Sequence, residues 1–213
     1  LVTFALALAL ALTPACAAST AATPPAILVV GDSLSAEYGL PRDTGWVKLL
    51  ADRIAHKAPQ YSVVNASISG DTTSGGRTRL AELLQRYRPA VVIIELGAND
   101  GLRGLSIEAM RANLQAMIDA CRHMGARVLL VGIRVPPNYG AVYGERFYAV
   151  YGALAQRNHV ALAPFLFEGF ADRLESFQPD RIHPLPQAQA LMLENVWPHL
   201  QPLLLDPRAQ VKQ

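Results

Sequence analysis

LVVGDSLSAEYGL, residues Leu28 to Leu40, is the stretch from which the fold is read. It completes an aliphatic run, Ala26–Val30, that holds no polar residue, as expected of a strand buried on both faces of a parallel sheet. At Gly31 the run turns abruptly into small polar residues, the mark of a strand end. Four further short runs end in the same way: Ser62–Asn65, Ala90–Leu96, Arg127–Gly132 and Val160–Pro164. Between them Gly45–His56, Ser74–Tyr87, Ser106–Met124 and Glu145–Asn158 carry apolar residues at helical spacing. In the third of these, Met110, Leu114, Met117, Ile118 and Cys121 share one face. Pro186–Leu205 reads as a last helix interrupted near Pro198. Strands alternating with helices predict a three-layer α/β domain with a parallel sheet and right-handed crossovers.

Length and composition narrow the reading. The 213 residues suit one packed domain, placed at 26–205, with a polar, frayed tail at 206–213. Hydrophobic residues make up 51% and charged residues 17%, which excludes wholesale disorder. A net charge of +2 supplies no basic field for nucleic acid. Residues 1–25 carry no charge at all. Their apolar part, Leu1–Leu12, is shorter than the roughly 20 residues that span a bilayer. An A-x-A pattern follows at Ala15–Ala17, so residues 1–22 read as a cleaved secretory signal peptide, without its usual positive start. A lipoprotein signal and an uncleaved anchor are the other readings of this segment. The export reading places the mature chain in the periplasm or outside the cell, with no stable membrane span. Removal of Cys16 leaves Cys121 alone, which permits no intramolecular disulfide and no cysteine-based metal site. Cys121 reads as a packed residue.

In an open α/β sheet, ligands bind beyond the carboxyl ends of the strands. Three such ends carry glycine with serine, asparagine or aspartate: Gly31-Asp32-Ser33-Leu34-Ser35, Ser67-Ile68-Ser69-Gly70-Asp71-Thr72 and Gly97-Ala98-Asn99-Asp100. None fits the G-x-S-x-G elbow, the P-loop or the dinucleotide fingerprint, and no H-E-x-x-H zinc pattern occurs. Spacing alone leaves Ser33 and Ser35 as rival nucleophiles. A serine nucleophile needs a base, and a base needs a group to orient it. Of the five histidines, His56, His123, His159 and His199 lie in or beside regular elements, whereas His183 sits in a proline-bracketed loop three residues after Asp180. Side chains three apart can meet on one face of a turn, although capping by Asp180 would explain the same spacing.

Together, GDSLS at Gly31–Ser35, the glycine of SISGD at Gly70, GAND at Gly97–Asp100 and DRIH at Asp180–His183 resemble the four ordered blocks of the SGNH (GDSL) hydrolases. VVNASISGDT and ELGANDGLRG further resemble the bacterial periplasmic branch of multifunctional acyl-CoA thioesterases, lysophospholipases and arylesterases. The resemblance implies a flavodoxin-like fold with strand order 2-1-3-4-5. It implies Ser33 as nucleophile, His183 as base and Asp180 as its orienting acid. An oxyanion hole would comprise the amides of Ser33 and Gly70 and the side chain of Asn99. Asp32 is expected to cap the following turn, and Asp71 and Asp100 to be structural. IRVPPNYG resembles the branch's mobile loop beside the acyl groove, which makes Ile133, Pro136, Pro137, Asn138 and Tyr139 candidate substrate contacts. Two departures from the branch pattern are Ala98 in place of glycine and the doubled proline, which should stiffen the loop. The implied activity is hydrolysis of acyl esters and thioesters, small molecules, by a chain that needs no metal or cofactor and no more than a monomer. Its rivals are a short-acyl carbohydrate deacetylase and a non-catalytic binding domain on the same scaffold.

Overall fold

The computed structural model describes residues 24–205; the leader and tail assigned above lie outside them. Five parallel strands form one sheet in the order β2-β1-β3-β4-β5. They are β1 (Ala26–Gly31), β2 (Ser62–Asn65), β3 (Val91–Glu95), β4 (Arg127–Val131) and β5 (Ala161–Ala163). The aliphatic runs of β1 and β3 are buried throughout, as a central pair covered on both faces must be. Their register sets Gly31 beside Glu95. The runs around β3, β4 and β5 extend beyond the paired strands by one residue at one or both ends, because pairing stops where the chain leaves for a turn.

Helices α1 (Trp46–Lys57) and α6 (Gln189–Leu204) pack together on the sheet. A second layer is built from α2 (Thr73–Tyr87), α4 (Ile107–His123) and α5 (Ala141–Asn158). The five residues singled out on one face of α4 are all buried. Burial pushes the Cys121 thiol up to about 12, consistent with packing. A one-turn helix α3 (Ala98–Leu102) was not expected; five residues are too few for a helical period to show.

Two helix boundaries and one expected interruption are corrected. Helix α5 starts at Ala141 rather than Glu145, because the 3₁₀ turn Pro137–Tyr139 and Gly140, at φ 89°, lead the chain straight into it. Residues Pro186–Ala188 form a separate 3₁₀ turn, so α6 starts at Gln189. Pro198 does not interrupt α6. Pro198 and Glu194, whose carbonyl loses its helical partner there, are both exposed, so water can take the freed bond.

Candidate active site

Each candidate sits on a loop leaving the carboxyl edge of the sheet. After β1 the chain bends into a tight turn in which Ser35 and Ala36 donate their N–H groups to the Asp32 carbonyl. The Asp32 carboxylate caps it by accepting the Leu34 N–H at 3.0 Å, as the sequence suggested. The turn sends its two serines opposite ways. Ser35 is buried and donates its hydroxyl to Glu95 Oε2 at 2.7 Å. Ser33 remains partly open, and its Oγ lies 2.8 Å from His183 Nε2. Of the two rivals, only Ser33 meets an imidazole.

His183 is held from behind. Its Nδ1 lies 2.7 Å from Asp180 Oδ2. The other oxygen, Oδ1, accepts the backbone N–H groups of Ile182 and His183 at 2.9 and 3.0 Å. Capping and pairing, posed as alternatives for Asp180, are thus divided between its two oxygens. Partial burial alone would raise the Asp180 carboxyl, but those two N–H bonds and the imidazole hold it below the usual range. The loop is closed by the Gln178 N–H on the His183 carbonyl, and the Tyr38 ring lies over the imidazole with centroids 4.4 Å apart.

The loops after β2 and β3 complete the edge. Gly70 adopts φ 80°, a conformation glycine takes without strain. Neither its N–H nor that of Ser33 has an acceptor among the described residues. Asn99, in α3, directs its Nδ2 to the Asp71 carbonyl at 2.9 Å and to Asp32 Oδ2 at 3.2 Å. The remaining acids brace the loops. Asp71 pairs with Arg79 at 2.8 Å, and Asp100 accepts both the N–H and the hydroxyl of Thr73 at the start of α2.

The expected acyl loop divides. Ile133 is buried in the core, so its side chain packs rather than lines a surface; it lies two residues past the buried end of β4. Pro137 and Asn138 are exposed, and Pro136 and Tyr139 half-buried. The Tyr139 hydroxyl donates to the Leu102 carbonyl at 2.8 Å, tying this loop to the helix that carries Asn99.

Glu95 escaped sequence reasoning. It is fully buried beneath the Ser33 turn, and its Oε1 has no hydrogen-bond partner among the described residues. Burial, reinforced by the Asp32 charge, pushes its carboxyl well above the usual range. The visible signal was a lone acid closing an aliphatic strand, VVIIE. No group of three or more histidine, cysteine or acidic residues suited to a metal occurs among the described residues.

Residues 29–191 match the family model described as "GDSL-like Lipase/Acylhydrolase family". The chain is 53% identical over 178 residues to "Esterase TesA" of Pseudomonas aeruginosa, covering 84% of this chain and 89% of that protein. It is 41% identical over 184 residues to "Thioesterase 1/protease 1/lysophospholipase L1" of Escherichia coli K12, covering 86% and 87%. A crystal structure of the psychrotrophic esterase EstA from Pseudoalteromonas sp., inhibited by monoethylphosphonate, superposes with a TM-score of 0.79 at 38% identity. That match covers 84% of this chain and 98% of the other.

Proposed function

The chain belongs to the GDSL-like lipase/acylhydrolase family and is an ester hydrolase, and from the arrangement around Ser33 we propose that it cleaves acyl esters and thioesters through a serine nucleophile. The observation that carries this reading is the relay Ser33–His183–Asp180, with contacts of 2.8 and 2.7 Å. His183 Nε2 takes the proton as Ser33 Oγ attacks the acyl carbonyl. The resulting oxyanion is held by the N–H groups of Ser33 and Gly70, which are free to receive it, and by Asn99 Nδ2, which shares with it a hydrogen otherwise directed at Asp32. Collapse breaks the bond to the alcohol or thiol, which leaves with the proton from His183. Water then attacks the acyl-enzyme with His183 again as base, releasing the acid and restoring Ser33. Asp180 keeps the Nδ1 proton in place throughout, so Nε2 presents its lone pair to Ser33.

The relatives' names span esterase, thioesterase and lysophospholipase, which supports acyl chains of small-molecule substrates as the common element. The leader-like residues 1–22 support export, and no helix among the described residues is long and apolar enough to cross a membrane. Cell fractionation of the full chain, finding it outside the cytoplasm, checks that assignment. The decisive experiment is a p-nitrophenyl ester series from acetyl to palmitoyl, run on wild type and Ser33→Ala. Turnover by wild type on butyryl and longer esters, lost in Ser33→Ala, is expected. Activity confined to acetyl esters, or retained in Ser33→Ala, would overturn the reading.

A further inference from the structure

Next to Ser33 lies a carboxylate that takes no part in the steps above. Asp32 is fully buried, and both of its oxygens are occupied: Oδ1 by the Leu34 N–H at 3.0 Å and Oδ2 by Asn99 Nδ2 at 3.2 Å. We infer that Asp32 is the positioning residue of the oxyanion hole, holding the Asn99 side-chain amide so that its nitrogen, rather than its oxygen, faces the site. This rests on the reading of Asn99 as an oxyanion donor.

The geometry allows one orientation of the amide. Turned over, Asn99 would set its oxygen against Asp32 Oδ2 and the Asp71 carbonyl, three acceptors without a proton among them. In a buried site such a cluster is strongly unfavourable. The two anchors are also unequal. The bond to the Asp71 carbonyl, at 2.9 Å, is the shorter. The hydrogen facing Asp32 at 3.2 Å is the one an oxyanion can share, while Asp71 keeps the amide from swinging away.

The same inventory explains why position 32 carries an acid. Two donors converge on it from opposite sides, and only a carboxylate accepts on both oxygens. Asparagine, of the same shape, must present its NH₂ either to the Leu34 N–H or to Asn99. The groups facing Asp32 are Glu95 from β3, Asp71 from the loop after β2 and Asp100 from α3. Burial first, then the Asp71 and Asp100 charges, push Asp32 up to about 7 against the Leu34 and Asn99 bonds. Protonation below that point removes one acceptor, so the anchor weakens in acid.

A double-mutant cycle tests the assignment: Asp32→Asn, Asn99→Ala, the double variant and wild type, assayed on p-nitrophenyl butyrate with thermal melts alongside. Asn99→Ala is expected to lower kcat about 10²–10³-fold. Asp32→Asn should lower kcat by about tenfold or more with KM changed less than about threefold, yet cost less than about threefold in the Asn99→Ala background. Equal losses in both backgrounds would show that Asp32 acts independently of Asn99 and overturn the inference. A loss under about tenfold in Asn99→Ala would instead sink the oxyanion reading of Asn99. If Asp32→Asn does not fold, the wild type still decides. The two side-chain amide protons of Asn99, identified by their absence from Asn99→Ala spectra, should both exchange slowly with solvent at pH 8. Fast exchange of either one would refute the anchor.

Discussion

Asp180→Asn keeps the shape of the side chain and removes one of two acceptor oxygens that are both in use. Oδ1 holds the N–H groups of Ile182 and His183, and Oδ2 faces His183 Nδ1. In the variant the two backbone donors claim the single oxygen, which leaves the NH₂ against Nδ1. Two N–H groups cannot face each other at 2.7 Å, so the imidazole moves its proton to Nε2. It then offers Ser33 an N–H where a lone pair is required. A base locked in the wrong tautomer costs about 10⁴ in kcat in a serine hydrolase, or about 5–6 kcal/mol of barrier at 1.36 kcal/mol per tenfold.

Asp180→Ala deletes the same bond with a different outcome. The Asp180 side chain is 38% exposed, so water can enter and the imidazole keeps both tautomers. The truncation should therefore cost less, about 10²–10³ in kcat, within the range of a compromised general base. Stability runs the other way. Alanine loses the bonds to Ile182 and His183, each worth about 1 kcal/mol net, or together about 4–8 °C in Tm for a chain of this size. Asparagine keeps them. Steady-state kinetics on p-nitrophenyl butyrate and thermal melts of both variants check the pair. An asparagine variant more active than the alanine variant would refute the reasoning, because it would mean that orientation by Oδ2 is not what His183 needs.

Three other outcomes follow from the same contacts. Ser33→Ala should abolish labelling by an organophosphonate, whereas Ser35→Ala should keep kcat within about tenfold and lose about 1–3 kcal/mol of stability, since Glu95 Oε2 loses its hydroxyl donor; loss of labelling in Ser35→Ala alone would reverse the assignment. Folded Glu95 holds its proton to higher pH than the unfolded chain does, so wild-type stability falls as pH rises above the unfolded value of about 4.3. The melting temperature of Glu95→Gln, relative to wild type, should therefore climb as pH rises above about 4.3 and level off once folded Glu95 itself ionises, and a difference independent of pH would contradict buried titration. Tyr139→Phe removes the hydroxyl that ties the 133–140 loop to Leu102. Its KM should change by about 2–5-fold for decanoyl esters and stay constant for acetyl esters, the mark of lost binding away from the reacting atoms; equal changes on both would separate this loop from acyl binding.

What could be read from the sequence was whatever is local along the chain. Strand ends announce themselves by a change from aliphatic to small polar residues, so the loops after β1, β2 and β3 were found with their candidate residues. The Asp180–His183 pair is three residues apart and visible as spacing. Short elements were not visible: α3 spans one turn, and the 3₁₀ turn before α5 carries no apolar period. Pro198 misled because the penalty of a helical proline depends on whether the freed carbonyl faces water, and that is a property of packing. Glu95 could be seen as an anomaly but not explained. Its contact with Ser35 joins residues 60 apart, and the Asp32–Asn99 contact joins residues 67 apart. Both depend on the register that sets Gly31 beside Glu95, which no local pattern encodes.

That register bears on why two acids lie beneath the reactive turn at all. The Asp32 N–H points at Glu95 Oε2, the Leu34 N–H at Asp32 Oδ1, and the N–H groups of Ser35 and Ala36 at the Asp32 carbonyl. The Ser35 hydroxyl is spent on Glu95. Every donor of the turn is thereby directed inward except those of Ser33, whose N–H stays free and whose hydroxyl meets the imidazole. A site that stabilises developing charge works best when its dipoles are fixed before the reaction begins, and a turn whose other donors are all committed cannot rearrange cheaply. Burying Asp32 and Glu95 costs stability as pH rises above about 4, where both carry charge in the unfolded chain. In return the fold obtains two acceptors, rigidly mounted at the ends of the central strands β1 and β3, that leave Ser33 as the one residue of the turn free to react.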